Sequence, residues 1–149
     1  MKREIALAAS SAVALIVIFG SVSYLLFPQV SVQGYTASID VYTQKGGKGI
    51  NKPSGNFTLN ETMPTLVILY AEVKNASNIP AGGLVSFEVH RPLNGSILLV
   101  GVSATDSLGI ASYQFRIPPT NSSSGRWLVY ATVDVNGQFL ADTLTFFVQ

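Results

Sequence analysis

The sequence predicts an all-β fold: a seven-stranded antiparallel immunoglobulin-like sandwich preceded by one N-terminal transmembrane helix. Three observations predict it. A charge-free apolar run fills residues 5–27, hydrophobic residues then recur with period two, and turn-forming residues interrupt that alternation at short, even intervals.

The apolar run follows Lys2, Arg3 and Glu4 and holds 23 residues without a charge. At about 1.5 Å per residue it is long enough to cross a hydrocarbon core of roughly 30 Å. Lys2 and Arg3 would stay on the cytoplasmic side, Tyr24 and Phe27 would reach the outer interface, and Pro28 would end the helix. A cleavable leader is the competing reading, with Ser21-Val22-Ser23 as its small-residue site. The apolar run continues past that site to Phe27, which favours an uncleaved anchor. The expected organisation is a signal anchor over residues 1–27, a spacer over 28–34 and a sandwich ectodomain over 35–149. The lipid bilayer is the partner of residues 5–27, and both readings place the remainder outside the membrane.

Strands are expected near residues 32–44, 65–74, 83–91, 96–104, 110–117, 126–135 and 138–148. Val67, Leu69, Ala71 and Val73 share one face of the second, and Val85, Phe87 and Val89 one face of the third. Ala111, Tyr113, Phe115 and Ile117 alternate with polar residues, as do Leu144, Phe146 and Val148 with Thr143 and Thr145. Trp127, Val129, Ala131 and Val133 form the inward set of the sixth strand, with Trp127 as its largest core residue. Asn136-Gly137 reads as a two-residue hairpin turn, because both residues tolerate positive φ. Asp106 opens a turn that closes at Gly109, where a side chain bonding its own backbone explains the aspartate better than a metal does.

Five Asn-x-Ser/Thr triplets follow the apolar run, at Asn56, Asn60, Asn75, Asn94 and Asn121. With eight asparagines and 26 serines and threonines in 149 residues, chance supplies about 1.4 such triplets. The excess, placed in expected turns and loops, reads as a set of N-glycan acceptors on an exported domain.

Several function classes are excluded by what the chain carries. Beyond the apolar run, seven Lys or Arg balance seven Asp or Glu, so no basic footprint for nucleic acid exists. Without cysteine there is no disulfide, thiolate metal site or cysteine nucleophile. The lack of a disulfide staple in a small exported domain favours a prokaryotic, archaeal or bacterial, source. His90 is the one histidine and is expected to face outward, so a Ser/His/Asp triad or a histidine metal cluster cannot be assembled around it. Gly46-Gly47-Lys48-Gly49 lacks the spacing of a phosphate loop. No enzyme activity, cofactor or metal is expected. Residues 45–62 show no clear alternation and read as a solvated excursion; the competing reading is a binding loop that offers Lys45, Lys48 and Lys52 to an anionic glycan or a protein.

Thr105-Asp106-Ser107-Leu108-Gly109-Ile110-Ala111, then Gly125-Arg126-Trp127-Leu128-Val129-Tyr130-Ala131, resembles the repeated pattern of bacterial and archaeal immunoglobulin-like surface domains of macroglobulin (MG2-like) and invasin type. Pro80-Ala81-Gly82-Gly83-Leu84-Val85-Ser86-Phe87 is similar to the first strand of that pattern. The resemblance spans roughly residues 63–149 and implies a sandwich used for adhesion, stalk building or protease trapping; its motifs place turns and core residues and carry no chemistry. Three functions follow as expectations. The first is a membrane-anchored structural or adhesive module at the cell surface, with a protein or glycan ligand. The second is an exported filament subunit whose segment Ser31 to Tyr42 completes a neighbour's sheet. The third is a macroglobulin-like accessory domain of a secretion, sensing or protease-binding complex.

Overall fold

Period-two burial builds two facing sheets. The computed structural model describes residues 36–52 and 55–149, so the expected membrane helix and spacer lie outside the described residues, as does the start of the first expected strand. Eight strands form: β1 (Ser38–Thr43), β2 (Asn56–Phe57), β3 (Thr65–Lys74), β4 (Leu84–His90), β5 (Ile97–Ala104), β6 (Ile110–Ile117), β7 (Gly125–Val135) and β8 (Gln138–Val148), with one 3-10 turn at Asn121–Ser123. One sheet has the order β1-β3-β6 and the other β2-β8-β7-β4-β5. In immunoglobulin lettering this is A-B-E facing A′-G-F-C-C′.

The seven expected strands are all present, and one expectation is corrected. The excursion at 45–62 contains an eighth strand, β2, and it pairs in parallel with β8 through Asn56↔Phe147 and Phe57↔Val148. The sandwich is therefore not wholly antiparallel. β2 exists because its two residues divide between solvent and core: Asn56 is exposed and Phe57 is buried at 1%, edge-on to Phe146 with ring centroids 5.1 Å apart. Two further backbone bonds, Gln149 N–H to Phe57 O and Leu59 N–H to Gln149 O, extend the pairing.

The core is the set that the alternation places inward. Val67, Leu69, Ala71, Val85, Phe87, Val129 and Ala131 are fully buried. Each large apolar side chain so buried contributes about 1.5–3 kcal/mol. Trp127 stacks on Phe146 with 6° between the rings and donates from Nε1 to Ser123 O at 2.9 Å, so its one polar atom is satisfied inside the core.

Connections fix two distinct ends. β1 begins, and the β3–β4, β5–β6 and β7–β8 connections turn, at what we call the near end. The β4–β5 and β6–β7 connections and Gln149 lie at the far end. At the near end Asp106 Oδ1 accepts from the Leu108 and Ile110 amides, Gly109 takes φ of 74°, and Gly109 O accepts from Val73 N–H. The aspartate turn thus ties the β5–β6 connection to β3.

Candidate functional site

Three lysines crowd the segment between β1 and β2, and their ammonium groups face the fold's own acceptors. Lys45 Nζ donates to Asn56 O at 3.0 Å and stands 4.8 Å from the Phe57 ring centre. Lys48 Nζ pairs with Glu72 at 2.8 Å and lies over the Tyr42 ring, which stacks on Tyr70. Lys52 Nζ reaches Asp142 Oδ2 at 2.6 Å, Asp40 Oδ1 at 2.7 Å and Val41 O at 2.9 Å. The loop backbone is docked as well, by Gly49 N–H to Asp40 Oδ2 and by the Gln44 side chain, which bonds Leu66 O and Ile68 N–H of β3.

The electrostatics follow from this geometry. Burial works against the Lys52 charge, but the hydrogen bonds that it donates to Asp142 and Asp40 outweigh it and hold its pKa above the usual lysine value. The hydrogen bond that Lys48 donates to Glu72 raises Lys48, and the same bond lowers Glu72, with Lys74 adding to the effect at 3.3 Å. Lys52 itself takes φ of 36°, a conformation that costs a non-glycine residue on the order of 1 kcal/mol. Its ion pairs hold it there. A shallow groove of about 430 Å³ runs beside this cluster, lined by Ser38, Ile39, Asp40, Gly49, Glu72 and Lys74 among others. An anion approaching here meets carboxylates already matched to Lys48 and Lys52, while Lys45 is turned to a backbone carbonyl and a ring.

The partners Asp40, Glu72 and Asp142 were not singled out by the sequence. Glu72 and Asp142 stand far from the lysines in the chain, Asp40 lies on the neighbouring strand, and their period-two positions resemble ordinary outward residues.

The five glycan acceptors are distributed unevenly. Asn56 on β2, Asn60 beyond it, Asn94 between β4 and β5, and Asn121 in the 3-10 turn are exposed at the far end. Asn75, half-buried after β3, is at the near end. Asn60 Oδ1 accepts from the Thr62 amide and hydroxyl and from Met63 N–H. Asn75 Oδ1 accepts from Ser77 and Ile79 N–H, and Asn94 Oδ1 from Ser96 N–H. In all three the oxygen is occupied by the local turn, and the amide nitrogen, the atom that would carry a glycan, makes no protein hydrogen bond among the described residues.

His90 lies on the outer face of β4, as expected. Its Nδ1 meets Gly95 O at 2.6 Å and its Nε2 meets Glu88 at 2.5 Å, with Tyr130 edge-on at 5.2 Å. Both ring nitrogens face acceptors, led by the Gly95 carbonyl, so the imidazolium is favoured and the pKa is raised. Among the described residues no group of three His, Cys, Asp or Glu is placed to hold a metal, and no helix is long and apolar enough to cross a membrane.

Comparison with known proteins adds a fold. No protein-family model matches the sequence, and no curated protein matches it. Among solved structures, the native conformation of Escherichia coli alpha-2-macroglobulin matches 83% of this chain with TM-score 0.54 and 18% identity. A Bifidobacterium dentium beta-glucuronidase matches 76% with TM-score 0.48 and 12% identity, and a CARDB domain from Pyrococcus furiosus 77% with TM-score 0.42 and 14% identity. The likeness is one of fold alone. The chain spans 7% of the macroglobulin and 17% of the glucuronidase, but 97% of the CARDB domain chain. The macroglobulin likeness agrees with an immunoglobulin-like β-sandwich.

Proposed function

We infer that this chain is a non-catalytic, membrane-anchored immunoglobulin-like module displayed on the outer side of a cell, with a structural or adhesive role. One observation carries the reading: four of the five acceptor asparagines are exposed at the far end of the sandwich, away from the end at which β1 begins. Glycans there would cover the end opposite the one at which β1 begins. The 23-residue apolar run after Lys2 and Arg3 supports an anchor with its N-terminus cytoplasmic. The docking of Lys45, Lys48 and Lys52 onto their own acceptors supports a scaffolding role for residues 45–62 over an anion site. For the filament reading, β1 is already paired along six residues with β3, so residues 38–42 of the segment to be donated have a place in their own sheet.

Mass spectrometry of the native protein, combined with labelling of intact cells by an impermeant reagent, tests this reading. An intact Met1 end, glycans on the far-end asparagines and a labelled C-terminal body are expected. A body shielded inside intact cells would overturn it.

A further inference from the structure

The two open sides of the sandwich are finished differently. On one side the outward-facing groups of Val41 and Thr43 in β1 are covered: Val41 N–H donates to Asp142 Oδ2 at 2.7 Å, Val41 O accepts from Lys52 Nζ, and Thr43 exchanges bonds with Gly46. Charges and a docked loop thus block that edge, the usual protection against strand-to-strand association. On the other side β5 pairs only with β4, and it carries no comparable guard.

The chemistry of β5 is that of an open docking edge. Residues 92–105 contain no charged side chain, and β5 itself contains no proline. Val100 is 58% exposed, Val102 60% and Ile97 54%, with Leu84 of β4 at 67% beside them. The bond from Thr105 N–H to Gly83 O fixes the phase of the β4–β5 ladder. Ser103, Gly101 and Leu99 therefore point their backbone groups at β4, while those of Val100 and Val102 point away from the sheet. The inner face is closed, because the Tyr113 ring fills the space under Gly101.

We propose that the β5 edge pairs with the β5 edge of a second copy of this chain, antiparallel about a two-fold axis at Gly101. The pairing is self-complementary. Val100 meets Val102 of the second copy, both with outward backbone groups, so the two exchange N–H···O bonds and their side chains touch on the outer face. Glycine lies opposite glycine at the axis. An uncharged edge offers nothing to a charged partner, whereas its own copy brings the same uncharged valines. The result is one continuous ten-stranded sheet.

Antiparallel pairing sets the near end of one copy beside the far end of the other. Resting on the anchored, outward-facing reading above, this favours copies on two facing surfaces. A single strand pair is a small interface, and adhesion would come from many copies acting together.

The absence of cysteine makes the test direct. Full-length Val100→Cys/Val102→Cys protein, purified in detergent, is oxidised and run without reductant, with Thr143→Cys/Thr145→Cys on the same outer face as control. Two vesicle populations carrying differently tagged full-length chains, selected for protease-accessible bodies, are then mixed and oxidised. Expected are a dimer band well above the control, a mixed-tag dimer on vesicle mixing, and about a tenfold loss of both when Val100→Lys is added, with an unchanged circular dichroism spectrum. A dimer no stronger than the control, one that survives Val100→Lys, or one formed only within a vesicle population would overturn the proposal. Bodies inaccessible in every vesicle, with the detergent dimer intact, would instead remove the outward-facing reading and leave self-pairing standing.

Discussion

The Lys52 ammonium and the Asp142 carboxylate, 90 residues apart in the chain, meet at 2.6 Å, and each also bonds the backbone of Val41. One ion pair thereby closes the gap between the two sheets and occupies the free edge of β1. Removing one member strands the other in a half-buried site. Lys52→Met is expected to cost about 1–2 kcal/mol, between the values for exposed and buried pairs. A urea titration checks it: the midpoint should fall with an unchanged slope. A wild-type midpoint would mean that the pair contributes nothing to stability.

Below the range in which lysines titrate, stability should depend on pH at two places. His90 has a raised pKa in the folded protein, first through the Gly95 carbonyl. Its contribution is therefore complete below the unfolded value of 6.5 and is lost as pH rises through the folded pKa. Glu72 is lowered by Lys48, so its contribution is present above the unfolded value of 4.5 and is lost as pH falls through the folded pKa. Melting temperature against pH should decline on both sides of a plateau, and His90→Gln should flatten the alkaline side alone. An unchanged alkaline side in that variant would remove His90 from the account.

The strand pattern was open to reading because burial in a two-layer sandwich imposes period two over long runs, as in Val67 to Val73 or Trp127 to Val133. β2 escaped because two residues cannot show a period. Its core residue, Phe57, also sits inside the Asn56-Phe57-Thr58 triplet, where the acceptor asparagine draws attention from the buried ring. The Asp106 turn was legible since aspartate and glycine act locally. The cage of Asp40, Glu72 and Asp142 was not, because it depends on residues brought together only by the β1–β3 register and by the approach of β8 to β1. The acceptor triplets were legible as sequence, while their concentration at the far end required the strand order.

The acceptor asparagines should divide by structural role. Asn75 Oδ1 holds two backbone amides in the β3–β4 connection, whereas no protein hydrogen bond to the Asn121 side chain is present among the described residues. Asn75→Gln, which moves the carbonyl out by one methylene, should destabilise by about 1 kcal/mol in unglycosylated protein, and Asn121→Gln by less than about 0.5. Thermal unfolding of the two variants side by side measures the difference. Equal shifts would show that the β3–β4 turn does not depend on Asn75.

Trp127 supplies the last prediction. It is 2% exposed, stacks on Phe146, lies 6.3 Å from Phe115 and satisfies its indole N–H on Ser123 O. Trp127→Phe removes both ring volume and the donor, leaving a cavity and an unpaired carbonyl beside the 3-10 turn. Truncation to alanine at such a site costs about 3–5 kcal/mol, and the phenylalanine variant should lose roughly half of that. With no disulfide to compensate, the alanine variant is expected to populate unfolded chain at ambient temperature, while phenylalanine lowers the urea midpoint and remains folded. A phenylalanine variant as stable as wild type would mean that the Ser123 bond and the stacked rings contribute little, and that the core tolerates repacking around Phe146.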